Sequence, residues 1–425
     1  MELKILDTGY NGEGISKADG KVCFVPFCLK DEIVDVKVTK ETAKFNECEV
    51  VKVLQPSKER VNPPCPYFGV CGGCDIQHIK YEAQLEFKKN LIENTFLKIA
   101  NLDVDVLDVV ASPKEFNYRN KMVFECQDEK VGMFKKNSHS LVEIENCLLA
   151  EEEINKVLNI FKNFVNTYNI PSYDEKTKAG ILKRIVIRKV EDCLSVVVVT
   201  TTKNFPKLNI LVEMLPKNIQ LYLNINEDDD KILSTNFVHV YGPKEIYKTE
   251  FGVKYPVSPF SFMQVNDEIK EKLYSFVLEN INSKTVIDAY SGSGLLSSII
   301  SKKADKVVAV EISKSACSDA KDLLKTNNIK NVEIINADCA QVLGNIIKEN
   351  LNTNVILDPP RSGVDKKILK ALNKSEVKKI IYISCNPKTL ARDLLELNGY
   401  KIQTILPFDM FPETANVETV VILTK

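Results

Sequence analysis

The residue best placed for covalent chemistry is Cys385. The apolar run Ile380-Ile381-Tyr382-Ile383 reads as a buried strand ending in Ser384-Cys385-Asn386-Pro387, and Thr389-Leu390-Ala391-Arg392-Asp393 reads as the start of a helix. A thiol between a strand's carboxyl edge and a helix N-terminus can have a lowered pKa and supply more of the nucleophilic thiolate. Without that context, a cysteine here reads as a small buried hydrophobe. A second chemical feature is Asp358-Pro359-Pro360-Arg361, in which two prolines remove two backbone donors and stiffen the turn after a core strand. A third is the run of Cys65, Cys71 and Cys74, too dense and regular for core packing. Three thiolates need a fourth partner, and spacing alone allows tetrahedral zinc or an iron–sulfur cluster.

A small-molecule site is expected near these groups. The apolar stretch 285–287 runs into Asp288-Ala289-Tyr290-Ser291-Gly292-Ser293-Gly294, where glycines allow a tight turn and close approach of backbone to ligand. The following strand ends at Glu311, where a carboxylate can accept hydrogen bonds from ribose hydroxyls. A dinucleotide fingerprint wants glycine at position 297, and this chain has Ser297, so S-adenosylmethionine suits the turn better. Asp338 and Asp358 stand at the carboxyl ends of expected strands, where open α/β sheets bind ligands. For Asp338, capping the next helix is an equal alternative. Enzymes that methylate exocyclic amines resemble Asp/Asn-Pro-Pro followed by a stacking aromatic residue. Arg361 in that position favours attack through carbon.

The elements that must hold these groups follow from periodicity. Apolar runs at 285–287, 307–310, 332–335, 355–357 and 380–383 alternate with helical patterns, which specifies a mostly parallel sheet covered on both faces. Residues 250–425 therefore read as an α/β doubly wound, Rossmann-like domain. Residues 1–57, with short strands punctuated by Gly9, Gly12, Gly14 and Gly20, read as a small β-barrel. Between them, 58–249 reads as an α+β central domain, with strands at 121–125, 184–188 and 194–200 and helices at 79–100 and 151–168. The first of those helices is a candidate to pack on the last domain. The acidic run 227–230 reads as a solvated turn.

With 57 Lys+Arg against 58 Asp+Glu, the net charge of −1 does not announce a nucleic-acid binder. Any RNA binding must come from local patches, stacking or shape. The 12 cysteines, in a chain whose first residues lack a signal-peptide pattern, argue for metal ligation or catalysis over disulfides. Cys23, Cys48 and Cys193, in strand-like stretches, read as buried hydrophobes. The absence of a long apolar run predicts no membrane partner, and a cytoplasmic location is the default expectation.

Three segments then carry a resemblance. Tyr382–Asp393 (YISCNPKTLARD), Asp358–Gly363 (DPPRSG) and Met410–Val420 (MFPETANVETV) look like the signature segments of the RNA uridine-C5 methyltransferase family. Phe260–Asn266 (FSFMQVN) resembles its glutamine-bearing cofactor segment. The resemblance implies Cys385 as nucleophile and Glu418 as base. It implies Gln264, Tyr290, Glu311, Asp338 and Asp358 as S-adenosylmethionine contacts. Residues 1–57 resemble the oligonucleotide-binding (OB-like, TRAM) barrel of such enzymes, and the cysteines resemble those of an iron–sulfur subfamily. There Cys147 is the fourth ligand with Cys65, Cys71 and Cys74, implying a [4Fe–4S] cluster, with zinc as the alternative occupant.

The implied substrate is RNA with an unpaired or flipped uridine. Barrel plus cluster points to 23S rRNA, on the ground that tRNA-modifying relatives resemble only the later parts of the chain. A tRNA enzyme and a non-catalytic RNA-binding or assembly factor are the rivals, and a monomer is expected. Tyr118, Arg119, Asn120, Lys121, Arg184 and Arg188 are candidate RNA contacts, with a surface ion pair an equal alternative for each. Two positions depart from the family pattern: Ser291 where cysteine is usual, and Asn416 where histidine is typical.

Overall fold

The computed structural model describes all residues except Phe260, Phe262 and Leu351. Phe260 and Phe262 of the expected cofactor segment thus lie outside the described residues, while Gln264 lies within them.

The last sheet runs in the order Val332–Asn336, Lys306–Glu311, Thr285–Ala289, Thr353–Leu357, Lys379–Ser384, Glu418–Thr424, Lys401–Phe408. The first five strands are parallel, Glu418–Thr424 runs antiparallel to them, and Lys401–Phe408 is antiparallel to Glu418–Thr424 in turn. Strands buried on both faces need continuous apolar runs, and Val355, Ile356, Leu357, Ile380, Ile381 and Tyr382 are all buried. Strand order reverses between Thr285–Ala289 and Thr353–Leu357, the switch point at which such sheets leave a crevice. Each expected strand is present, extended by one or two residues. The helix after Cys385 begins earlier than expected, at Pro387, with Asn386 as its N-cap accepting from Lys388 N at 3.1 Å. Proline suits a first helical turn because its missing N–H would have no partner there.

Residues 2–55 form six strands around a core that includes Ile5, Cys23, Val25, Val34, Val36 and Cys48. The N-terminal segment ties the two edges together. Glu2–Lys4 pairs with Ile33–Asp35 while Leu6 N donates to Ile15 O at 2.8 Å. A third sheet of seven strands spans Lys121 to Tyr241 and carries the helix Glu152–Tyr168, whose Val157, Phe161 and Phe164 are buried against it. The acidic run is more than a solvated turn: Asp229 pairs with both Lys178 and Lys183.

The long helix Tyr81–Ala100 belongs in space to the last sheet, with Ile92, Phe96 and Ala100 sharing a core with Leu390, Ala391 and Leu394. Its buried Lys88 pairs with buried Asp409 and donates to Phe411 O at 3.0 Å. Among the described residues, no helix is long and apolar enough to cross a membrane.

Candidate active site

Antiparallel pairing puts Ser384 opposite Thr419, so Cys385 and Glu418 leave the sheet at the same edge from strands pointing in opposite directions. Asp358 leaves the neighbouring parallel strand at that edge as well. Local charge completes the group. Burial pushes the Cys385 thiol up, the Glu418 and Asp358 carboxylates push it further, and the Arg361 guanidinium opposes them. Glu418, only 5% exposed, is pushed up to about 8 by burial and then by Asp358, again with Arg361 opposing. Asp358 itself is pushed up to about 7 by burial, with Asp288 adding to it.

The thiol pKa therefore moves opposite to the expectation from the helix N-terminus. Enclosing an ionisable sulfur beside a carboxylate costs more than a single helix end returns. Arg361 is anchored through its carbonyl, which accepts from Asn386 Nδ2 at 3.1 Å and Thr389 Oγ1 at 3.3 Å.

The glycine turn sits at the switch point. Tyr290 adopts φ +66°, and a Cβ on Gly294 would come 2.8 Å from Ala320 Cβ, which is why glycine stands there. Buried Asp288 accepts from Ser297 Oγ and is pushed up to about 6, mainly by burial, with the Glu311 charge adding to it. Glu311 accepts from Gly292 N at 2.9 Å and Ser313 N at 2.7 Å through separate oxygens. Asp338 caps the helix Cys339–Glu349, accepting from Ala340 N at 2.9 Å. Ser291 Oγ is buried without a hydrogen-bond partner.

Several expected RNA contacts do other work. Asn120 is fully buried and donates to Gln264 O at 3.1 Å, and Arg188, 2% exposed, donates to Ser258 O and Ser261 O at 3.1 and 2.6 Å. These two hold the Gln264 segment from the central sheet. Tyr118 is buried and donates to Pro412 O at 3.1 Å, in the segment leading to Glu418. Arg184 is paired with Glu125 at 3.2 Å. The Arg184 pair is the ion-pair alternative, whereas the burial of Tyr118, Asn120 and Arg188 is a tertiary property with no local signature.

Cys65, Cys71, Cys74 and Cys147 line one small cavity with Met122 and Ile144 as apolar wall. Burial pushes up the Cys71, Cys74 and Cys147 thiols, and neighbouring thiols of the group add to it in each case. Gln77 bridges two of them: its Oε1 accepts from Cys65 N at 3.1 Å and its Nε2 donates to Cys74 Sγ at 3.4 Å. Among the described residues, no group of His, Cys, Asp or Glu is arranged as it stands to hold a single metal ion. The next residue links this site to the other. Asp75 N donates to Glu413 O at 3.0 Å, and Asp75 Oδ2 accepts from Ala415 N at 3.2 Å, in the segment that ends at Glu418. Sequence reading missed Asp75, and its only signal was adjacency to Cys74.

Comparison with known proteins places these sites in context. Residues 230–425 match the family described as tRNA (Uracil-5-)-methyltransferase, and residues 1–51 match the TRAM domain. An uncharacterized RNA methyltransferase of Clostridium tetani is 34% identical over 439 residues, covering 99% of this chain and 95% of its own. One of Thermotoga maritima is 36% identical over 433 residues, covering 99% and 98%. Among solved structures, Pyrococcus abyssi tRNA (uracil-54, C5)-methyltransferase in complex with S-adenosyl-L-homocysteine matches with a TM-score of 0.84 at 27% identity, over 99% of both chains.

Proposed function

This chain belongs to the RNA uracil-5-methyltransferase family that carries a TRAM domain, and from that premise we propose that it methylates carbon 5 of a uridine through a covalent bond between Cys385 and carbon 6. The observation that carries the reading is the strand register that brings Cys385 beside Glu418, with Asp358 and Arg361 completing one charged group.

Carbon 5 of uracil is too weak a nucleophile to take a methyl group directly. Addition of the Cys385 thiolate at carbon 6 turns the ring into an enolate with electron density at carbon 5. S-adenosylmethionine, the family's methyl donor, supplies the electrophilic methyl that carbon 5 attacks. Glu418 then takes the carbon 5 proton, the ring electrons re-form the 5,6 double bond, and the Cys385 sulfur leaves. A carboxylate pushed up to about 8 is a proton acceptor matched to neutral pH. Arg361 favours the ionised forms of both groups.

The turn suits that donor. Ser291 Oγ is an unused buried hydroxyl, and each Glu311 oxygen keeps a lone pair beyond its backbone contact. We assign Gln264, Tyr290, Glu311 and Asp358 to donor binding. Asp338 joins them through Oδ2, whose other contact is Gln341 Nε2 at 3.5 Å. The four-thiol cavity suits a [4Fe–4S] cluster held by Cys65, Cys71, Cys74 and Cys147, with zinc as alternative, because the donors are all soft sulfur. We divide the chain into a barrel at 1–57, a cluster-bearing unit at 58–249 and a catalytic unit at 250–425.

Barrel and cysteine segment do not by themselves mark an rRNA enzyme. The P. abyssi neighbour is a tRNA enzyme by name, yet it matches over 99% of this chain, barrel and cysteine segment included. Architecture therefore does not separate the two substrates, and we take both forward: 23S rRNA first, and tRNA on the strength of this neighbour.

The test is RNA substituted with 5-fluorouridine. Fluorine cannot leave as a proton, so the adduct formed after methyl transfer persists through denaturing electrophoresis. The full chain is expected to form it only with S-adenosylmethionine, and Cys385→Ala to form none. Glu418→Gln should accumulate an adduct even with ordinary uridine. A wild-type chain that forms no adduct with either rRNA or tRNA favours the non-catalytic rival.

A further inference from the structure

The barrel reaches the catalytic sulfur. Its first hairpin joins Asp7–Thr8 to Gly14–Ala18 through a turn carrying Tyr10, and that turn is wedged between two other parts of the chain. On one side lies the cysteine segment. Gly12 has φ +82°, and a Cβ there would come 2.5 Å from Ile76 Cγ2, so only glycine permits this approach. On the other side lies the turn bearing the nucleophile. Tyr10 Oη donates to Asn386 Oδ1 at 3.3 Å, and Lys388 Nζ stands 3.7 Å from the centre of the Tyr10 ring.

Asn386 is the residue after Cys385. It caps the following helix through the same Oδ1 and reaches Arg361 O through Nδ2. Between these elements a cavity of about 190 Å³ is lined by Tyr10, Asn11, Cys385, Pro387, Asn416 and Val417. That volume is below the roughly 300 Å³ at which pockets for drug-sized ligands begin, so it takes a single ring extruded from its strand.

We propose that Tyr10 is a positioning residue of the methyl-transfer site: its ring walls the cavity in which the target base meets Cys385, and its hydroxyl holds the turn that presents the sulfur. The inference rests on the uridine-C5 reading. It gives the barrel a part in the reaction beyond holding RNA. A base enters between the Tyr10 ring and the catalytic turn, and the cation over that ring keeps it in place when the cavity is empty. Burial, and after it the Cys385 charge, push the Tyr10 hydroxyl up, so it stays a donor to Asn386.

Two measurements on the full-length protein test this. The first is steady-state formation of 5-methyluridine on total RNA from cells lacking the gene. Tyr10→Ala is expected to lower kcat on the order of tenfold with KM changed far less, and Tyr10→Phe, which keeps the wall and loses the hydroxyl, to fall between. A Tyr10→Ala enzyme with normal kcat and a raised KM overturns the proposal, because Tyr10 would then only tether RNA. The second is the alkylation rate of Cys385 by iodoacetamide, followed by peptide mass spectrometry. Tyr10→Ala should be alkylated several-fold faster than wild type and Tyr10→Phe at the wild-type rate. Equal rates in all three overturn the wall. If the wild-type chain makes no 5-methyluridine, the uridine reading fails by itself, and the alkylation series still decides whether Tyr10 covers the sulfur.

Discussion

Two sites in this molecule are built on half-buried cysteine, and they differ in what surrounds the sulfur. Around Cys385 the charges alternate: one thiol, the Glu418 and Asp358 carboxyls, and the Arg361 guanidinium. A thiolate formed there stands beside the Arg361 guanidinium, which suits a charge that exists only during reaction. Around Cys74 the neighbours are three more thiols, with Arg119 the cation that lines the same cavity. Four like charges cannot ionise together in a desolvated space unless a cationic group joins them. The first arrangement suits the proposed reaction site and the second the proposed ligand site. The two are joined through Asp75, which follows a cysteine of the second and hydrogen-bonds the segment leading to Glu418, the proposed base of the first.

The comparison breaks most readily at the sulfurs themselves. Cys385→Ala is expected to lower methylation on the order of 10⁴-fold or more while leaving the melting temperature within a few degrees. Cys74→Ser should lower stability by roughly 2–5 kcal/mol and lose bound iron, with activity falling as a consequence. Paired melting curves and turnover assays check both. A Cys74→Ser protein that melts normally would show that the four thiols are not a ligand site.

A smaller effect tests the link. Asp75→Ala should keep its iron and lower kcat on the order of tenfold by loosening the segment before Glu418. Iron content measured beside kcat decides it, and loss of both together would make Asp75 merely a support of the cysteine loop.

The charge pattern sets two pH effects. The proposed mechanism needs Cys385 and Glu418 ionised, so kcat/KM should rise with pH through about 8. Arg361→Gln removes the group that lowers both pKa values. The rising limb should then move to higher pH, with the defect at pH 7 partly recovered at pH 9.

The smallest effect is on stability. Asp358 folds with its pKa raised to about 7, above the ordinary carboxylate value, so its contribution is complete in acid and lost as pH rises through 7. Asp358→Asn should therefore melt a few degrees higher than wild type at pH 8 and no higher at pH 4. This is the reverse of its expected loss of activity.

The strand-end placement of Cys385, Asp358 and Glu311 and the glycine turn was legible because each depends on a few consecutive residues. The same holds for the parallel strands, whose apolar runs announce burial on both faces. Cys147 was assignable only by resemblance, since it lies 73 residues after Cys74. Asn120 and Arg188 were misread as RNA contacts because neither their burial nor their hold on the Gln264 segment has a local signature. Tyr10 was unreadable for the same reason, being 375 residues from the sulfur it adjoins.

The sequence by itself determined where the candidate groups stand: a thiol and an aspartate at strand ends and a glycine turn, each fixed by short-range backbone preference. Only the tertiary structure decided their protonation and their company. Those depend on desolvation and on charges brought together from distant segments. Burial raised the Cys385 thiol where its helix end alone would have lowered it, and the fold set a tyrosine of the barrel against the catalytic turn.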